Sequence, residues 1–119
     1  MKIPTLSLII MLSIAIGSAL NCHKVRATTD ELISALGDIT NEHDGEGLES
    51  FCSMWEAHRT YFLFTIPMPR IDNVDNAVLA LRASVSSGSR AEYEKGKLMA
   101  ERHISDIAEY SSLSLKNIL

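Results

Sequence analysis

The chain has 119 residues, of which 46% are hydrophobic and 22% are charged, and its formal net charge at pH 7 is −4. This length supports one small domain. The acidic balance argues against a nucleic-acid partner, because a negative surface repels phosphates.

The first element along the chain is an uncharged segment, residues 3–20. As a helix it would be about 27 Å long, close to the thickness of a bilayer core, about 30 Å. A short basic start and small residues near its end are also typical of a signal peptide. Since the apolar run exceeds a usual signal core of about 7–15 residues, it favours an uncleaved anchor. We therefore predict a single-pass protein of the cell membrane with an exported C-terminal domain, or alternatively a protein secreted after cleavage.

These features predict a signal peptide or signal-anchor helix at residues 1–21, a linker at residues 22–27 and a helical domain at residues 28–119. Cys22 follows the apolar segment, but Asn21 departs from the small residue that precedes a lipidated cysteine. Cys52 lies within a helical pattern and is expected to be free and buried. Cleavage, lipidation of Cys22 and disulfide pairing of the two cysteines stay open.

Spacings of three and four between apolar residues predict four helices in residues 28–119. The first begins at Thr28, which with Glu31 forms a capping box, and ends near Asp44. The second carries an apolar face through Trp55 and ends at residues 67–69, where two prolines interrupt it.

The third predicted helix has Asp72 as its cap and ends at residues 86–88, a Ser-Ser-Gly stretch. The fourth opens with a second capping box, formed by Ser89 and Glu92. Strand-like alternation does not occur. The expected fold is all-α, with the signal/anchor helix followed by a small bundle of about four helices arranged as two helical hairpins.

Residues that could carry chemistry are few. His58 and His103 hold matching positions in the second and fourth predicted helices, and Met54 and Met99 lie one turn before them. This arrangement suggests, as an alternative function, an exported bundle that binds a metal, haem or a small apolar ligand. Metal-ligand spacings and nucleophile motifs do not occur. We therefore expect that the protein is not an enzyme and that it has no catalytic residue, cofactor or bound metal.

Two apolar stretches are better candidates for interaction. One is the aromatic tract at residues 61–68, and the other is the C-terminal tail at residues 113–119. They are predicted to engage the membrane surface or a partner protein, although the tail would alternatively close one end of the bundle. The candidate interaction residues are Phe62, Phe64, Ile66, Leu115, Ile118 and Leu119.

The chain resembles a bacterial family of small proteins that contain a domain of unknown function. The resemblance covers residues 28–119 and rests on the Thr-Asp-Glu-Leu helix start, on Met-Trp-Glu-Ala-His at residues 54–58, on a helix at residues 71–81 and above all on the closing Leu-Ser-Leu-Lys-Asn-Ile-Leu. Residues 66–69 and the low charge of the second helix depart from the family pattern. The resemblance implies a bacterial, membrane-attached helical protein and supplies no site residues.

Together these patterns predict a membrane-anchored, extracytoplasmic helical protein of the bacterial cell envelope. Its membrane contact would be residues 3–20, and its role would be that of a non-enzymatic accessory or interaction module for another envelope protein.

Overall fold

The computed structural model describes the backbone of residues 3–118 and the side chains of residues 4–117. This part of the chain is entirely helical apart from short loops, so the all-α prediction is confirmed. Its four helices are α1 (Ile3–Gly37), α2 (Gly45–Thr65), α3 (Met68–Ser87) and α4 (Arg90–Ile118).

The helices form an up-and-down bundle that is 68 Å long and about 20 Å wide. Helix α1 packs against α2 and α4, and α3 packs against the same two helices. Within residues 3–118, α2 and α4 make no backbone contact and so lie diagonally across the bundle. One hydrophobic core, centred on Trp55, Phe51 and Phe62, fills the space between the four helices.

Helix α1 continues without interruption from the apolar segment into this core. Residues 22–27, expected as a linker, are helical, and Thr28 lies in the middle of α1 instead of starting a helix. Cys22 is buried and the Val25 side chain has no exposed surface. These two residues extend the stripe of Leu32 and Leu36 toward the N-terminus at helical spacing, so packing continues the helix past a locally favourable cap.

Asp44 begins α2 and does not close α1, which ends at Gly37. The Asp44 Oδ1 accepts a hydrogen bond of 2.9 Å from the Gly47 N–H, as an N-cap side chain does. A second carboxylate oxygen accepts from the Thr40 N–H at 3.0 Å. Asp44 therefore connects the α1–α2 loop to the start of α2.

The prolines end α2 as predicted, since its last residue is Thr65. They also start α3: Pro67 is its N-cap residue, and Pro69 lies in the first turn, where its missing N–H costs nothing. Asp72 is therefore inside α3, and its predicted role as the cap is wrong. The Ser89 cap is confirmed, because Ser89 Oγ accepts from the Glu92 N–H at 3.4 Å and α4 starts at the next residue.

Candidate interaction site

The N-terminal half of α1 is long and apolar enough to cross a membrane or to act as a signal sequence. Only 6% of its most apolar stretch is buried by the rest of the protein. The exposed large side chains include leucines and isoleucines from Leu6 to Leu20. The C-terminal half of the same helix is part of the bundle, so one helix carries both an uncovered apolar surface and a packed one.

One end of the bundle lies directly beside this uncovered segment. The Tyr61 hydroxyl of α2 donates a hydrogen bond to Asn21 Oδ1 of α1. On the other side of α1, Cys22 Sγ lies 3.8 Å from Ser112 Oγ of α4. We call this end, made of residues 63–68 and 113–117, the anchor-proximal end.

A shallow groove shows how far the anchor-proximal end extends along α1. It is lined by Ile14 and Gly17 of α1, by Thr65 at the end of α2, and by Ser114 and Leu115 near the end of α4. The ends of α2 and α4 therefore overlap the last two turns of the apolar segment.

The three interaction residues predicted in the second helix lie on different faces. Phe62 is fully buried and Ile66 is almost so, and both belong to the core. The prediction that they form an interaction surface is therefore wrong for this structure. Phe64, in contrast, is 82% exposed. Two residues rotate a helix by about 200°, so Phe64 faces outward because Phe62 faces inward.

The predicted tail residues are only partly described. Leu115 is half-buried in the groove against α1. Ile118 ends α4, but its side chain and all of Leu119 lie outside the described residues. The tail packs along α1 at least as far as Leu115.

Three exposed apolar residues of the same end are missing from the predicted set. Met68 is 51% exposed at the start of α3, Leu63 is exposed beside Phe64, and Leu113 is exposed on α4. All three lie in stretches that are visibly apolar in the sequence. Their exposure follows from which helix faces pack together, which the local pattern did not give.

Two cation–aromatic contacts lie at the edge of the anchor-proximal end. Lys24 Nζ is 4.0 Å from the centre of the Tyr61 ring, and Arg70 Cζ is 5.0 Å from the centre of the Tyr110 ring. Both tyrosines are half-buried. Each ring therefore carries a positive charge over its face where the bundle meets the apolar half of α1.

The histidines of the alternative function are held apart. His58 on α2 has its Nε2 3.8 Å from Glu31 Oε2 of α1, and His103 on α4 has its Nδ1 3.8 Å from Asp106 Oδ2 of the same helix. Because α2 and α4 are diagonal, the two histidines do not share a face. Met54 packs against the core, whereas Met99 is exposed. Among the described residues, no group of His, Cys, Asp and Glu side chains could hold a metal ion.

A second groove runs between α2 and α3, around a three-residue polar cluster. Asp75 Oδ1 accepts a hydrogen bond of 2.8 Å from the buried indole N–H of Trp55. Its other oxygen pairs with Arg59 Nη2 at 2.9 Å. The hydrogen bond and charge of Asp75 raise the pKa of Arg59. Exposed Leu79 lies in the same groove.

Cys52 lines the floor of the α2–α3 groove. Both cysteines are buried and free, as predicted for Cys52. Burial raises the pKa of the Cys52 thiol, and the positive charge of Arg82 opposes this rise only in part. The thiol is therefore kept in its less reactive protonated form.

Comparison with protein-family profiles, with curated proteins and with solved structures finds no match to this chain.

Proposed function

We propose that this chain is a single-pass, membrane-anchored protein whose exported helical bundle is a non-enzymatic interaction module for another envelope protein of a bacterium. The observation that carries the proposal is the division of α1: its first half is apolar and uncovered, and its second half is built into the core. A helix without a linker holds the bundle at a fixed position relative to the bilayer. Such an arrangement suits a protein that acts by contact at the membrane surface.

The α2–α3 groove is the surface that we assign to the partner protein. Exposed Leu79 lies there beside the Arg59–Asp75 pair and beside Arg82, which pairs with Glu49 at 3.1 Å. An apolar centre with arginines at its edge is typical of protein–protein contacts.

The anchoring is tested by intact-mass measurement of the protein isolated from washed membranes. An uncleaved N-terminus and retention in the membrane after carbonate washing are expected. A chain cut near Ala19 and released into the soluble fraction would contradict the anchor and support secretion.

The partner contact is tested by pull-down of the full chain from detergent-solubilised membranes. Leu79→Glu is expected to abolish capture of a specific envelope protein. Leu98→Glu is the matched control, since Leu98 is equally apolar and exposed but lies on α4. Equal capture by both variants would show that the groove is not the contact.

A further inference from the structure

Charge is distributed unequally between the two ends of the bundle. The segments nearest the apolar half of α1, residues 18–29, 60–71 and 110–117, contain no acidic residue, and Asp30, Asp72 and Glu109 directly adjoin them. They contain four basic ones, which are Lys24, Arg26, Arg70 and Lys116. The opposite end, which includes the α1–α2 loop and the starts of α2 and α4, carries much of the negative charge. The end of the bundle beside the apolar half of α1 is therefore less acidic than the opposite end, although Arg26 and Lys116 line one groove with Asp30 and Glu109.

The same end carries exposed apolar side chains. Phe64, Met68 and Leu113 project from α2, α3 and α4, and each is at least half exposed. Tyr61 and Tyr110, each with a cation over its ring, lie at the boundary between these apolar residues and the polar bundle. Tyrosine rings beside exposed apolar side chains are typical of the interface between a lipid bilayer and water.

The position of this end along the axis of α1 indicates that lipid covers it. Gly17 and Ile14 precede the end of the apolar segment by about 4.5 and 9 Å along the helix, at about 1.5 Å per residue. They line one groove together with Thr65 and Leu115. If residues 3–20 lie in the bilayer core, Thr65 and Leu115 lie at or below its outer boundary.

We propose that the anchor-proximal end is a lipid-contacting surface. Phe64, Met68 and Leu113 enter the boundary between headgroups and acyl chains, and Lys24 and Arg70 at the edge of this end contact anionic headgroups. This inference rests on the proposed anchoring by α1. It reassigns Phe64, first expected to bind a membrane or a protein, to the membrane alone.

The test measures the depth of single labelled cysteines in the full chain, reconstituted into vesicles of phosphatidylcholine and phosphatidylglycerol. Cys22→Ser and Cys52→Ala remove the native thiols, and helicity and Trp55 emission show that the bundle is intact. An environment-sensitive fluorophore is then placed by Phe64→Cys, by Ile10→Cys within the apolar segment, or by Leu98→Cys as the exposed control on α4. Quenching by brominated lipids is compared with quenching by aqueous iodide.

The fluorophore at position 64 is expected to be quenched several-fold more strongly by lipids brominated near the headgroup than by iodide. The fluorophore at position 98 is expected to show the reverse. If position 64 behaves like position 98, the lipid contact is refuted while the anchor stands, provided that position 10 is quenched by deep bromines. If neither quencher reaches position 64, a second copy of the chain covers it and the proposal is wrong. If iodide quenches the fluorophore at position 10, the membrane anchor and the lipid contact are both refuted.

Discussion

Continuity of α1 through residues 22–27 is the feature on which the anchored arrangement depends, and a single glycine can test it. Ala27 is exposed and lies inside α1 in the structure, but it would lie in a flexible linker if the helix were broken there. Ala→Gly in an exposed helix interior costs about 1 kcal/mol, whereas in a linker it costs almost nothing. Ala80→Gly is the matched control, since Ala80 is also exposed and lies in the interior of α3.

Val25 gives an independent measure of whether residues 22–27 are part of the packed bundle, because its side chain is completely buried. Val25→Ala removes two methyl groups from the core. At about 0.8 kcal/mol for each buried carbon, the transfer term is about 1.6 kcal/mol. The residual cavity raises the expected loss to about 2 kcal/mol.

Both losses can be read from the fluorescence of Trp55, the only tryptophan, which lies in the centre of the core. Denaturant unfolding of the full chain in mild detergent would give the free energy of unfolding of the bundle alone. We expect Ala27→Gly and Ala80→Gly to lower it equally, and Val25→Ala to lower it about twice as much. If only Ala80→Gly has an effect, residues 22–27 are a linker and the rigid anchor is refuted.

Three further predictions concern the bundle itself. Asp75→Ala leaves the buried N–H of Trp55 unpaired and should lower the free energy of unfolding by about 2 kcal/mol. Asp75→Asn keeps an acceptor and should lower it by less. Equal losses in denaturant unfolding would show that the hydrogen bond does not contribute to stability. The backbone hydrogen bonds from Thr40 and Gly47 lower the pKa of Asp44, so its contribution to stability is present above the ordinary value of 3.8 and is lost as the pH falls through the lowered pKa. Asp44→Ala should therefore flatten the dependence of the thermal midpoint on pH in this acid range. An unchanged slope would contradict the prediction. Cys52 should react with iodoacetamide at neutral pH only after unfolding, and rapid alkylation of the native protein, followed by mass spectrometry, would contradict its burial.

Local signals in the sequence predicted those features that depend on a few neighbouring residues. The end of α2 before Pro67 and the start of α4 after Ser89 follow from backbone chemistry that acts within one turn. The capping box at Thr28 has the same local form, yet α1 runs through it. There the burial of Val25 and Cys22 against other helices outweighs a cap, and this burial depends on contacts far away in the sequence.

The candidate site shows the same limit. Apolar composition marked residues 61–68 as unusual, but it did not separate buried Phe62 from exposed Phe64. The helical spacing of the second helix does separate these two residues, because Trp55, Phe62 and Ile66 lie on one face and Phe64 does not. What no local pattern contains is the height of Phe64 relative to α1. That height depends on the antiparallel packing of α1 with α2 and α4.

The anchor and the lipid contact constrain each other. Removal of a signal peptide near Ala19 would leave Cys22 and Val25 in place, so the core of the bundle does not depend on the apolar segment. Such a protein would leave Phe64, Met68 and Leu113 exposed to water. If α1 is retained in a membrane, the proposed lipid contact puts the same residues at the bilayer boundary, where apolar surface is stabilised. Retention of α1 and the lipid contact are therefore linked proposals, and the labels at positions 10 and 64 test them separately.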